Sequence, residues 1–131
     1  MASEEPTSPG AIRDEDAAHP VAAQWRPTLC AIVRAFSEGD YRIGRAIPGV
    51  DPISPERAES IEANIASYGA TLVELPDESW ETSVAQWMRG YWEVLVDLWT
   101  KEEGRSDLVL HVFANEAEGA TSFSVHLVYV P

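Results

Sequence analysis

The chain has one cysteine, one lysine and no apolar run of membrane-spanning length. A single cysteine, Cys30, cannot close an internal disulfide, and it leaves too few thiolates for a structural zinc site. Because Cys30 falls inside an apolar helical pattern, a buried, reduced thiol in a cytoplasmic protein is expected. The opening residues MASEEPTSPG have neither a basic start nor an apolar core, so no secretory leader is expected. The phosphate-cradling GxxxxGK[ST], the metal-binding HExxH, CxxC, GxSxG and GxGxxG are all missing, which lowers the odds of kinase, metalloprotease or hydrolase chemistry. Positive charge is scarce as well. Nine bases stand against 22 acids, a formal net charge of -13. That balance argues against a nucleic-acid or membrane partner and permits a basic protein partner. No cofactor and no metal site is expected.

What is present fits one domain, since 131 residues bury enough surface to need no staple. Residues 1–20 carry three prolines and the acidic run Asp14-Glu15-Asp16, with little apolar bulk. Such a segment gains too little burial to offset its ordering entropy, so a disordered acidic tail is expected over 1–20 and a single α+β domain over 21–131. Eight of the nine bases are arginine, which with the many alanines suggests the coding bias of a GC-rich bacterium.

Trp25, Leu29, Ile32, Val33 and Phe36 form one helical stripe, with Pro27 in the first turn and Gly39 after the end. A second helix is punctuated by Ser54 as N-cap, Pro55, Glu56 and the stop Gly69. From Ala70 the period turns strand-like. A short strand Thr71–Leu75 is expected, then longer ones over 91–100, 107–114 and 122–130. Residues 80–90 fit either a helix face or a strand entering a hairpin at Arg89-Gly90. The hairpin is preferred because Gly90 supplies a positive φ. The expected fold is α+β: two N-terminal helices packed on a curved antiparallel sheet of four to five strands.

That element order, with AFSEGDY closing the first helix, resembles the cystatin-like cone of nuclear-transport-factor-2-like proteins, which implies a curved sheet enclosing a pocket. The stretch LWTKEEGRSDL, residues 98–108, resembles a bacterial family catalogued as domain of unknown function 7668. Small acidic domains of this kind often resemble immunity proteins, which implies a protein-binding role; fold alone does not give function.

Two function classes follow. In the first, the chain is a non-enzymatic, cytoplasmic, immunity-like interaction domain. It presents Glu102, Glu103, Trp99 and Trp92 to a basic partner, with a homodimer left open. Gly104 turns the KEEGRS loop, while Arg105 and Asp107 hold its shape through a guanidinium shared among carboxylates. The acidic set Glu74, Asp77, Glu78 and Glu81 adds either a solvated rim or more of the same surface. In the second, Asp97, His111 and His126 line a pocket inside the cone. They would form one row across three strands, an acid orienting one imidazole beside another for ligand binding or proton transfer. That row requires turns centred on Gly104 and near Glu118-Gly119, and a one-residue slip breaks it. Separate rim histidines are the commoner outcome.

Overall fold

The computed structural model describes residues 11–131. Two helices pack on one face of an open five-stranded antiparallel sheet whose strands lie in chain order. Strand β1 spans His19–Pro20, β2 Val84–Trp87, β3 Trp92–Thr100, β4 Gly104–Ala117 and β5 Ala120–Tyr129. Helix α1 covers Arg26–Ser37 and α2 Pro55–Tyr68. The architecture is α+β as expected, but β1 precedes both helices and α2 ends mid-chain, so they are not both N-terminal.

Local chemistry explains the helix bounds. The Ser54 side chain accepts from the Arg57 amide at 3.2 Å, Pro55 opens the first turn, and Gly69 closes α2 at φ +87°. In α1 the stripe Leu29, Ile32, Val33 and Phe36 is buried, preceded by buried Trp25. These side chains meet the inner face of the sheet in one cluster with Trp92, Val94, Val96 and Leu98 of β3 and Leu110 and Val112 of β4. Trp25 stands edge-on to Trp92 and Phe123, at 5.2 and 5.7 Å between ring centres.

Two turns follow the sequence. Arg89 and Gly90 both have positive φ and join β2 to β3, so the hairpin reading of this segment holds, with Asp77–Glu81 forming a 3-10 turn before it. Glu118 and Gly119 do the same between β4 and β5. The expected strand Thr71–Leu75 reduces to one bridge, Leu72 to Thr100, flanked by Val73 N–H donating to the Trp99 carbonyl and Lys101 N–H to that of Thr71. Pro76 and the 3-10 turn take the chain away before a ladder can extend.

The upstream edge of β3 is therefore satisfied in three pieces. Val84–Trp87 pairs with Trp92–Leu95, and residues 71–73 serve the far end. At Asp97, between them, two buried serines replace a strand. Ser79 Oγ donates to the Asp97 carbonyl at 2.7 Å, and the Asp97 amide donates to Ser83 Oγ at 2.9 Å. The free edge of β5 is closed in a similar way. Phe123 exchanges backbone hydrogen bonds with Gly49 and Asp51. The Arg57 and Asn64 side chains of α2 donate to the carbonyls of His126 and Val128 at 2.6 and 2.8 Å.

Of the segment expected as a disordered tail, residues 11–20 contact the sheet, and residues 1–10 lie outside the described residues. His19 and Pro20 pair with Ala85 and Val84. His19 Nε2 lies 2.9 Å from Asp14, Glu15 meets Arg89 at 2.6 Å, and Trp92 Nε1 donates to the Ile12 carbonyl at 3.0 Å. Backbone and charged contacts dock a segment whose apolar content alone would not.

Candidate functional site: the outer face of the sheet

Strand β3 alternates strictly, burying Trp92, Val94, Val96, Leu98 and Thr100 while leaving Glu93, Leu95, Asp97 and Trp99 half-buried on the opposite face. Cross-strand pairing extends that face. Glu93 opposes Phe113, Leu95 opposes His111, and Asp97 opposes Val109. On β5, Leu127 and Tyr129 oppose His111 and Val109. The helices cover the inner face, so the outer one carries aromatic rings, two histidines and two carboxylates.

His111 is the centre of this arrangement, with a side chain only 12% exposed. Its Nδ1 lies 3.0 Å from the Tyr129 hydroxyl, while its Nε2 is buried with no hydrogen-bond partner among the described residues. Glu93 Oε2 is 3.8 Å from that nitrogen, beyond hydrogen-bonding range. Burial pushes the imidazole below its ordinary pKa; Glu93 opposes the shift and His126 adds to it. The His126 ring stands edge-on to His111 at 4.9 Å, and Phe113 packs on both rings at 5.1 and 5.2 Å. Tyr91 meets Phe113 edge-on at 5.5 Å. Arg57 Nη1 lies 3.1 Å from His126 Nδ1.

The expected row of Asp97, His111 and His126 is brought together only in its histidine half. A register shift between His111 and Val112 leaves His126 unpaired beside His111. Asp97 is displaced along the strand, and the Thr82 hydroxyl donates to its carboxylate. The physical reason is the first turn. Lys101, Glu102 and Glu103 form the loop, and Gly104 at φ +76° is the residue after it rather than its centre. A bulge opposite Leu98 takes back part of that offset, bringing Asp97 opposite Val109 but still short of His111: Ser106 Oγ donates to the Leu98 carbonyl and accepts from the Leu108 amide. Glu93, not Asp97, is the carboxylate nearest His111. The cleft of about 250 Å³ beside His126, walled by Arg57 and Phe113, includes neither Asp97 nor His111.

The charged hairpin exchanges its expected roles. Glu102 accepts from the Thr71 amide and hydroxyl at 2.8 and 2.9 Å, and these bonds hold its carboxyl below the usual range. Glu103 accepts from the Tyr68 hydroxyl at 2.6 Å, and that oxygen accepts from the Asp107 amide at 3.0 Å. Arg105 is exposed and makes no ion pair among the described residues, so it does not shape the loop. Asp107 contributes its backbone amide. Trp92, expected on a binding surface, is 1% exposed and belongs to the core. Trp99 is half-buried against Gly104, where an added Cβ would lie 3.6 Å from its ring.

Tyr91, Glu93, Phe113, Tyr129 and Arg57 complete the outer-face group without having been singled out in the sequence. Tyr91 and Glu93 share strand parity with Asp97, which was a usable signal. Arg57 is 69 residues from its histidine and left none.

The fold and this face define a small α+β domain with a helix-covered core and a titratable, aromatic outer sheet surface. The family model described as Domain of unknown function (DUF7668) matches residues 33–131, and the chain belongs to that family. Comparison with curated proteins and with solved structures finds no match. No helix among the described residues is long and apolar enough to cross a membrane.

Proposed function

We propose that the chain is a non-enzymatic, cytoplasmic interaction domain of the immunity-like kind, binding a basic protein through the outer face of its sheet. The observation that carries this reading is the placement of Glu93 and Asp97 on either side of Leu95, among Tyr91, Trp99 and Phe113. Partly desolvated carboxylates among aromatic rings suit arginine and lysine side chains, and the net charge of -13 steers a basic partner toward them. The β5 edge is occupied by residues 49–51 and the Arg57 and Asn64 side chains, and the opposite edge strand β1 is only two residues long, which favours docking on the face over strand addition. The likeness to a cystatin-like cone belongs to the same proposal.

The rival, a ligand-binding or proton-transfer site of Asp97, His111 and His126, has less support because Asp97 is engaged by Thr82 away from the imidazoles. Affinity capture from the native host, followed by binding of the captured partner to variants, tests the proposal. Glu93→Lys and Leu95→Ser are expected to weaken binding at least about tenfold, worth about 1.4 kcal/mol. Glu59→Lys, an equal charge change on the exposed side of α2, is expected to leave it nearly intact. Equal losses from Glu93→Lys and Glu59→Lys would mean that only total charge matters, and the face would lose its role.

A further inference from the structure

At the β2–β3 end of the sheet, away from the outer face, the chain binds one of its own arginines. The Arg13 guanidinium lies 4.9 Å from the Trp87 ring centre and 5.5 Å from that of Trp92, and its Nη2 is 3.0 Å from Glu116 Oε1. The residue before it presents its carbonyl to Trp92 Nε1 at 3.0 Å. A buried indole N–H thus finds its acceptor on an extended segment, and two aromatic faces with one carboxylate receive the planar cation.

The hold on residues 11–13 is exchangeable. The Arg13 side chain is 58% exposed, so its ion pair is screened, and Ile12 remains 41% exposed. Backbone attachment begins downstream, where His19 and Pro20 pair with Ala85 and Val84. Displacing residues 11–13 therefore leaves that strand pairing intact. The family match begins at residue 33, so the cradle lies inside it and the arginine that fills the cradle lies outside.

We propose that Trp87, Trp92 and Glu116 form a receptor for an arginine carried on extended backbone, filled in this chain by Arg13 and open to a partner's arginine that displaces it. The natural occupant rests on the basic-partner reading; the chemistry of the cradle does not. Guanidinium is favoured over ammonium because it stacks on indole while pairing with the carboxylate. An internal effective concentration on the order of 10 mM, against a Kd on the order of 1 mM, keeps the cradle about nine-tenths filled.

The test uses the full chain and a capped pentapeptide, Gly-Ala-Ile-Arg-Asp, which repeats residues 10–14, read by the indole N–H resonances of Trp87 and Trp92. Arg13→Ala is expected to bind the peptide about tenfold more tightly than the parent, because its cradle is vacant. A peptide with lysine in place of arginine is expected to bind several-fold more weakly. Adding Trp87→Leu to Arg13→Ala is expected to abolish the response, with unshifted Trp25 and Trp80 resonances showing an intact fold. No saturable shift, or equal shifts for both peptides that survive Trp87→Leu, would overturn the receptor. The peptide measurement needs no partner protein, so its failure sinks the cradle alone. Indifference of the captured partner to Glu93→Lys sinks the basic-partner reading instead.

Discussion

Replacing Ser83 with alanine tests how the outer face is held in place. The Ser83 hydroxyl accepts from the Asp97 amide at 2.9 Å and donates to the Ser79 carbonyl at 2.7 Å, in a residue only 2% exposed. The Ser79 carbonyl keeps the Ser83 amide as a donor at 3.0 Å after the change, whereas the Asp97 amide loses its acceptor. Leaving one buried donor unpaired costs about 1–3 kcal/mol. For a domain of this size that lowers the thermal midpoint by roughly 4–10 °C. Ser79→Ala orphans the Asp97 carbonyl in the same way. Because the two hydroxyls lie 3.2 Å apart, the double variant is expected to cost less than the sum of the two. Denaturant unfolding gives the free energies, and hydrogen exchange at Asp97 gives the local effect, expected as lost protection at that amide. If Ser83→Ala stays within about 0.5 kcal/mol of the parent, the size of an ordinary surface change, the serines do not stand in for a strand.

Acid should weaken the fold through His111. Its folded pKa lies below the ordinary value, so the unfolded chain binds the proton first, and stability present above about pH 6.5 falls as the pH drops through the folded pKa. Unfolding free energies measured at pH 7.5 and 5.5 should differ less in His111→Gln than in the parent, and equal differences would remove His111 as the cause. Arg105→Ala should change stability by less than about 0.5 kcal/mol, as suits an exposed side chain with no ion partner among the described residues. A loss above about 1 kcal/mol in urea unfolding would restore Arg105 to an architectural role.

Short-range chemistry was readable from the residues alone. Helical spacing placed the α1 stripe, Ser54-Pro55 and Gly69 bounded α2, and Gly90 and Glu118-Gly119 marked turns, because each is decided by neighbours a few positions away. The α+β class followed from the change of period. The LWTKEEGRSDL stretch led to the family, which a match over residues 33–131 confirms. Register was different. A turn placed at residues 101–103, only partly offset by a bulge opposite Leu98, kept Asp97 out of the histidine row, and a bulge beside His126 left that ring next to His111. Bulges balance side-chain packing against ladder hydrogen bonds across strands, and no local pattern encodes that balance. The roles of the charged hairpin were also settled at long range, since the partners of Glu102 and Glu103, Thr71 and Tyr68, lie 31 and 35 residues away. Composition made residues 11–20 look unable to order. Their partners, Ala85, Arg89 and Trp92, lie more than 60 residues away, and only the assembled sheet edge brings them within reach.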